Sequence, residues 1–133
     1  MIGLDTNVIL RFITRDDEGQ WQRTHNLMGR HEGETEELYI SDLALCEVAW
    51  VLRSSYKYTK TEQVEELAML SEVEEFKFSD RAIFKQAIEL YKNGKADFSD
   101  YFIILKNKQV GCEYTYSFDK KLLNESLAVP IPN

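Results

Sequence analysis

Short apolar segments of four to seven residues alternate along this chain with longer segments of helical composition. Apolar segments this short are typical of strands in a parallel sheet, whose two faces are covered by the helices that connect the strands. The predicted strands are residues 1–4 (MIGL), 38–41 (LYIS), 75–79 (EFKFS) and 112–118 (CEYTYSF). The alternation therefore predicts an α/β fold with a mainly parallel sheet flanked by helices.

The segments between the predicted strands carry their own start and stop signals for helices. Ser41 is placed to cap the helix that follows it, Thr61 lies at the start of another, and Gly94 and Gly111 each close a helix. Gly33 and the acidic residues after it form a solvated connection before the second strand. The predicted helices cover residues 7–14, 17–30, 42–56, 59–73, 80–94 and 100–111.

The length of the chain limits its organisation. A chain of 133 residues suits one domain with a substantial core, so we expect a single domain over residues 1–133. No apolar run approaches the ~20 residues that cross a bilayer, and the N-terminus lacks the pattern of a signal peptide. These features predict a soluble, cytoplasmic protein with no membrane partner.

Composition excludes two common kinds of site. Cys46 and Cys112 match no ligand or redox spacing and are expected to be buried free thiols, and His25 and His31 have no cysteine neighbours that would indicate zinc. The net charge of −7 argues against general nucleic-acid binding, which needs a basic surface. A phosphate substrate is still permitted where acidic residues gather divalent cations, because the cations invert the local field.

An aspartate follows each of two predicted strands at its carboxyl end, Asp5 after the first and Asp119 after the last. Ligands of open parallel sheets bind at that edge, so we expect these two carboxylates to share it. A helix N-cap is the alternative role for either residue alone, because Asp commonly caps the helix after a strand.

Glu47 is the only charged residue between Asp42 and Arg53, in a predicted helix that is apolar on every side. Such a helix is expected to be buried, and a buried carboxylate is costly unless it is paired, hydrogen-bonded or bound to a metal. We therefore expect Glu47 to belong to a site. A structural salt bridge to Arg11 or Arg53 is the alternative.

Asp97 and Asp100 lie three residues apart at the start of a predicted helix. They share a face if the helix includes both. Either Asp97 or Ser99 could cap this helix, and capping is the favoured role for one of the two acids taken alone. Two acids together exceed what a cap requires.

A set of three to five carboxylates without histidine or cysteine is the donor set for a hard cation. Mg²⁺ and Mn²⁺ prefer oxygen ligands and keep bound waters that a site can turn into nucleophiles. Such ions activate water, neutralise phosphate oxygens and stabilise a leaving alkoxide. The acidic residues therefore predict phosphodiester hydrolysis that depends on Mg²⁺ or Mn²⁺.

Four segments, in this order, resemble the PIN-domain nucleases, and particularly the VapC-type toxins of prokaryotic toxin–antitoxin pairs. They are LDTNVIL (4–10), SDLALCEVAWVL (41–52), ADFSDYFIIL (96–105) and TYSFDKKL (115–122). The resemblance spans almost the whole chain. It implies a Rossmann-like three-layer fold with the acids at the carboxyl edge of the sheet, and cleavage of RNA with Mg²⁺ or Mn²⁺ as cofactor.

The resemblance also assigns roles by position. The residues that match the acidic catalytic quartet are Asp5, Glu47, Asp100 and Asp119. Asp97 matches an additional acid of many members and joins the three aspartates of the quartet as an expected metal ligand. Asn7 matches the polar residue after the first Asp, and Ser117 stands where the family often has threonine. Tyr101 departs from the family, in which a small residue commonly follows the third acid, and this bears on the width of the substrate cleft.

The expected mechanism gives the metal to the aspartates and makes Glu47 a ligand or the group that orients a metal-bound water for in-line attack on phosphorus. The resemblance further implies a homodimer and an antitoxin protein whose extended segment covers the acidic cleft. Basic residues that could contact the RNA backbone are Arg11, Arg15, Lys106, Lys108, Lys120 and Lys121.

Two other functions remain open. A PIN-like domain that has lost catalysis would serve as a binding module, although such a domain would usually show replaced acids and this chain retains them all. A phosphatase of the haloacid dehalogenase type also begins with a strand and an Asp. It needs a second carboxylate two residues later, where this chain has Asn7.

Overall fold

The computed structural model describes residues 1–14, 17–31 and 37–133. These residues form two compact units, Met1–Arg81 and Ala82–Asn133. Arg15 and most of the expected acidic connection, including Gly33, lie outside the described residues. The helices of the described part are all too short or too polar to cross a lipid bilayer.

The first unit contains a parallel sheet of three short strands in the order β1–β2–β3. The strands are β1 (Ile2–Gly3), β2 (Leu38–Ile40) and β3 (Phe76–Phe78). Ile2 is in register with Leu38, and Leu38 is in register with Phe76. The first three predicted strands are therefore confirmed, as is the α/β class with a parallel sheet and flanking helices.

Four helices connect these strands in the described part of the first unit, two between β1 and β2 and two between β2 and β3. They are α1 (Thr6–Ile13), α2 (Glu18–His31), α3 (Asp42–Ser54) and α4 (Lys60–Glu72). The Ser41 hydroxyl caps α3 by accepting from the backbone N–H of Ala44 at 3.1 Å, as predicted. The cap of α4 is Thr59 rather than Thr61: Thr59 accepts from the N–H of Glu62, whose carboxylate accepts from the N–H of Thr59. The expectation for Thr61 was wrong because Thr59 has a glutamate three residues later, as a capping box requires.

The packing of α1 on the sheet fixes where Asp5 lies. The backbone N–H of Leu4 donates to the carbonyl of Tyr39 at 2.9 Å, which is the last bond to β2 before the chain turns. Helix α1 begins two residues after Leu4, at Thr6, and its residues Ile9 and Leu10 are buried. Asp5 is left at the turn, at the carboxyl end of β1.

The second unit is helical. Its helices are α5 (Arg81–Asn93), α6 (Phe98–Gln109) and α7 (Lys120–Asn124), with Arg81 at the boundary between the units. The rings of Phe84, Phe98 and Phe102 pack together at centroid distances of 5.5–6.4 Å. Gly94 and Gly111 lie just beyond α5 and α6 as predicted, and Gly111 has a φ of +102°.

Tyr101 belongs to the core of the second unit. Its side chain is fully buried, and its hydroxyl donates to the Glu125 carboxylate at 2.6 Å and accepts from the N–H of Ala96 at 3.1 Å. A Cβ at Gly94 would lie only 1.8 Å from this hydroxyl, so that position accepts only glycine. The residue that departs from the family pattern therefore fills an interior space, and its bulk lies away from solvent.

The fourth predicted strand, residues 112–118, is wrong. This segment forms one isolated parallel bridge, between Tyr116 and Val129, with backbone bonds of 3.0 Å from Ser117 to Val129 and 2.9 Å from Val129 to Thr115. Its tyrosines, threonine and phenylalanine have high strand propensity, which favours an extended chain. A strand also needs a continuous partner, and in the second unit the pairing stops after one bridge.

Candidate functional site

Asp5 caps helix α1 and still exposes its carboxylate. Its Oδ1 accepts from the backbone N–H of Val8 at 3.0 Å, and the side chain is exposed. The capping alternative is thus correct as a description of Oδ1. Oδ2 has no bonded donor among the described residues, so capping leaves one carboxylate oxygen for a ligand.

Glu47 of α3 is held by the residue that follows Asp5. The Thr6 hydroxyl donates to Glu47 Oε2 at 2.7 Å, so the structure brings Glu47 to the start of α1. The bonded partner of this carboxylate is a hydroxyl, in place of the guanidinium that the salt-bridge alternative required. Thr6 is a residue that the sequence reasoning missed, and the only signal for it was a hydroxyl next to Asp5.

The expectation that Glu47 is buried is wrong. Glu47 is exposed on a face of α3 that also carries Leu43 and Trp50, which are 72% and 65% exposed. Ala44, Leu45, Val48 and Leu52 fill the buried face instead. A helix with apolar residues all round was read as buried, but two of those residues lie on the solvent side and leave Glu47 accessible.

A cavity of about 340 Å³ lies beside Asp5 in the first unit. Asn7 and Arg11 of α1 line it from one side, and Gln20 and Arg23 of α2 line it from the other. Arg11 is half-buried, with its guanidinium donating to the Gln20 side chain and to the Tyr56 hydroxyl. The sequence reasoning missed Gln20 and Arg23, although their spacing places both on one face of α2.

In the second unit, Asp97 and Asp100 lie in the first turn of α6. Asp97 is the N-cap residue, and its backbone N–H donates to Asp100 Oδ2 at 3.3 Å. Helix α6 begins two residues earlier than predicted, at Phe98, because Asp97 rather than Asp100 marks its start. Capping by Asp97 is therefore correct, and Asp100 is the third residue of the helix.

The surroundings of Asp100 disfavour the ionised form of its carboxyl. Its side chain is half-buried, and this burial raises the pKa of its carboxyl, as do the nearby carboxylates of Asp97 and Asp119. The hydrogen bond from the Asp97 backbone and the Lys121 ammonium act in the opposite direction without cancelling the rise. Asp97 and Asp119 are thus each close enough to Asp100 to repel its carboxylate.

Asp119 caps the short helix α7. Its Oδ1 accepts from the backbone N–H groups of Lys121 at 2.8 Å and Leu122 at 3.3 Å. The backbone N–H of Asp119 donates to the Ser117 hydroxyl at 2.9 Å, so Ser117 supports the turn that presents this aspartate. As with Asp5, Oδ1 is committed to the backbone while Oδ2 has no bonded donor in the described part of the chain.

Within residues 1–14, 17–31 and 37–133, no three His, Cys, Asp or Glu side chains are arranged as ligands of one metal ion. Taken unit by unit, the predicted acids are Asp5 and Glu47 in the first unit, and Asp97, Asp100 and Asp119 in the second. Both groups offer only carboxylate oxygens, and the caps leave Oδ2 of Asp5 and of Asp119 available. This donor set fits a hard divalent cation.

The soft ligands of the chain lie elsewhere. Cys46 is half-buried, and burial, with a smaller effect of the Asp42 carboxylate, raises the pKa of its thiol to about 11. The thiolate that a metal would need is therefore scarce at neutral pH. Cys112 is exposed, so the expectation of two buried thiols is wrong. His25 packs against the rings of Phe12 and Trp21.

The basic residues expected to contact RNA are spread over both units. Lys108, Lys120 and Lys121 are exposed and Lys106 is half-buried, all of them in the second unit. Lys121 is close enough to lower the pKa of Asp100. Arg11 is the described member of this set in the first unit, where it faces the cavity.

A family model described as the PIN domain matches residues 2–125, which is nearly the whole chain. No curated protein matches this chain.

Proposed function

The chain belongs to the PIN-domain family, and we propose that it is a divalent-metal-dependent endoribonuclease. PIN domains are generally nucleases. The observation that carries the proposal to this chain is the bond of 2.7 Å from the Thr6 hydroxyl to Glu47. It ties an exposed carboxylate to the residue next to Asp5, whose Oδ2 is also available.

The cofactor in this proposal is Mg²⁺ or Mn²⁺. Its proposed ligands are Asp5, Asp100 and Asp119, with Asp97 as an additional one. When bound, the ion supplies an activated water, neutralises phosphate oxygens and stabilises the leaving oxygen. The half-buried carboxylate of Asp100 supports this role, because a cation relieves its repulsion by Asp97 and Asp119.

Glu47 has a separate part in the proposed reaction. Hydrolysis adds water across one P–O bond, so the attacking water must be oriented and must lose a proton. Thr6 fixes Glu47 through Oε2, which leaves Oε1 to accept a hydrogen bond from that water. Asn7 and Ser117 act as supporting residues, Asn7 beside Asp5 and Ser117 by bonding the backbone of Asp119.

The biological role that we propose is the toxin of a type II toxin–antitoxin pair, acting on RNA as a homodimer in the cytoplasm. Support comes from the four segments that resemble VapC-type toxins and from the net charge of −7, which suits a basic inhibitor. Light scattering that shows a monomer at micromolar concentration would refute the proposed homodimer. Co-expression with the product of an adjacent gene should suppress cleavage. Unchanged cleavage would show that this product is not the antitoxin.

A second function is favoured by one specific observation. The described residues contain no ready-made metal group, as a catalytically silent binding module would also show. Such a module would bind RNA and leave it intact with either metal. The phosphatase reading has no comparable support, because Asn7 offers an amide where that chemistry needs a carboxylate.

The test of the nuclease proposal compares two aspartates that cap helices in the same way. Asp5 and Asp17 are both exposed, and each accepts from the backbone N–H three residues later at 3.0 Å. We expect the purified chain to cleave single-stranded RNA with Mg²⁺ or Mn²⁺ and not in EDTA. Asp5→Asn should lower the rate at least ~100-fold, whereas Asp17→Asn should keep it.

The same assay separates the alternatives. Cleavage by Asp5→Asn at the wild-type rate would refute the assignment, since it would point to a contaminant or another site. Binding of RNA without cleavage in either metal would favour the silent module. Both variants keep an oxygen acceptor for the helix N-terminus, so a folding defect is not expected to confuse the comparison.

A further inference from the structure

The cavity of about 340 Å³ between α1 and α2 has the size of a binding pocket, at the lower end of the range of about 300–1,000 Å³ that small ligands occupy. One face of each helix forms its walls. Arg11 and Val8 come from α1, and Arg23, Thr24 and Leu27 come from α2. Asp5 lines the same cavity, so a ligand held there lies next to a proposed catalytic carboxylate.

Two guanidinium groups give this cavity its polar chemistry. The side chain of Gln20 and the Tyr56 hydroxyl, at 3.0 Å from Nη1, accept hydrogen bonds from Arg11 and fix its position in the wall. Arg23 is exposed on the facing helix. Guanidinium groups bind phosphate oxygens through paired N–H donors. The two arginines outweigh the single carboxylate of Asp5 in the lining, so an anion is favoured here although the chain has a net charge of −7.

The rest of the wall suits a planar apolar group with polar edges. Val8 and Leu27 are half-buried and contribute apolar surface, and Asn7 offers an amide with both a donor and an acceptor. A nucleobase has two apolar faces and a hydrogen-bonding edge. Proteins that recognise single-stranded RNA take such unstacked bases out of the strand.

We propose that this cavity binds one unpaired nucleotide of the RNA substrate, with its phosphate on Arg23 and Arg11 and its base against Val8 and Leu27. The inference rests on the proposed function, since it places that nucleotide beside Asp5 and thus next to the bond that is cut. A base enters such a site only when it is unpaired and unstacked, so on this proposal the enzyme should prefer single-stranded RNA.

The test measures binding without turnover. Fluorescence anisotropy of a labelled single-stranded oligoribonucleotide of ~12 nucleotides is recorded in EDTA with the full chain. Arg23→Ala should weaken binding roughly tenfold, as expected for the loss of a charged hydrogen bond. Arg23→Lys should fall between wild type and Arg23→Ala, because it keeps the charge and loses the planar fork. Arg53→Ala is the matched control, since Arg53 is an exposed arginine of α3 outside the cavity.

Each outcome supports or overturns the inference. Arg53→Ala should change the affinity less than twofold, and on a duplex of the same sequence Arg23→Ala and Arg53→Ala should be indistinguishable. Equal weakening of single-strand binding by the two alanine variants would overturn the inference, as would wild-type binding by Arg23→Ala. If wild type cuts RNA while Arg23→Ala binds RNA normally, nucleotide binding in the cavity is refuted and the nuclease proposal is retained. If Arg23→Ala weakens single-strand binding but neither metal supports cleavage by wild type, the nuclease proposal is refuted and the nucleotide-binding site is retained.

Discussion

The two acidic groups of this chain differ in how their carboxylates are surrounded. In the first unit, the side chains of Asp5 and Glu47 are exposed, and each accepts one hydrogen bond. In the second unit, Asp100 is half-buried and its pKa is raised by burial and by the carboxylates of Asp97 and Asp119. Carboxylates with the same proposed role in catalysis are therefore expected to affect the stability of the fold differently.

Because of this difference, loss of an acid from either group should have the same effect on activity but a different effect on stability. If both groups serve one reaction, loss of an acid from either should abolish cleavage. In the second group, Asp100 is repelled by the carboxylates of Asp97 and Asp119, and a proton or a cation can relieve that repulsion. The Tm of the metal-free protein should thus rise when the charge of Asp100 is removed and should not rise when the charge of Glu47 is removed.

The largest expected effect tests whether the two groups act together. Asp5→Asn and Asp100→Asn should each lower RNA cleavage at least ~100-fold in Mg²⁺. The double variant should be no slower than the slower single variant, because residues that act as one unit are not additive. Cleavage rates of the three proteins give the answer. A double variant slowed by the product of the two single effects would show that the groups work independently.

A smaller effect is expected at Thr6, which positions Glu47. Thr6→Val removes the donor to Glu47 Oε2 with little change of shape, and should lower the cleavage rate roughly tenfold through loss of a charged hydrogen bond. Thr6→Ser keeps the hydroxyl and should restore most of the rate. If valine and serine have the same rate, Thr6 does not position Glu47, and the first group consists of two unconnected carboxylates.

The sequence was informative where structure depends on neighbouring residues. Asp5 at the end of β1, the Ser41 cap and the glycines that close α5 and α6 were all predicted, because each depends on residues within about one turn. The order of the acids also indicated the family that the whole-chain match confirms.

The sequence failed where structure depends on packing between distant elements. An apolar pattern around Glu47 could not show that Leu43 and Trp50 lie on the solvent side of α3. The strand propensity of residues 112–118 could not show that pairing stops at one bridge. The cavity beside Asp5 requires α1 and α2 to meet, and neither helix alone indicates it. For the same reason the sequence did not distinguish the exposed Glu47 from the half-buried Asp100, whose carboxyl has a raised pKa.

The next prediction compares that pair directly by thermal unfolding in EDTA. Asp100→Asn removes one of three repelling charges and keeps an acceptor for the Asp97 N–H, so its Tm should rise by ~1–3 °C, a small effect because the carboxyl is only half-buried and is screened. Glu47→Gln should give no rise, because its exposed carboxylate loses part of a favourable hydrogen bond to Thr6. A rise for Glu47→Gln and none for Asp100→Asn would reverse the comparison.

The smallest expected effect is the pH dependence of the same difference. The pKa of Asp100 in the fold is higher than its ordinary value of 3.8, so between the two values the folded chain holds more of this proton than the unfolded chain does. The contribution of Asp100 to stability therefore improves as the pH falls through the folded pKa, and its penalty is complete only above that pKa. The Tm advantage of Asp100→Asn over wild type should then be largest near neutral pH and shrink on acidification in EDTA, while other carboxylates affect both proteins alike. An advantage that stays constant or grows as the pH falls would show that the ionised carboxylate of Asp100, disfavoured by burial and by the neighbouring carboxylates, is not its cause.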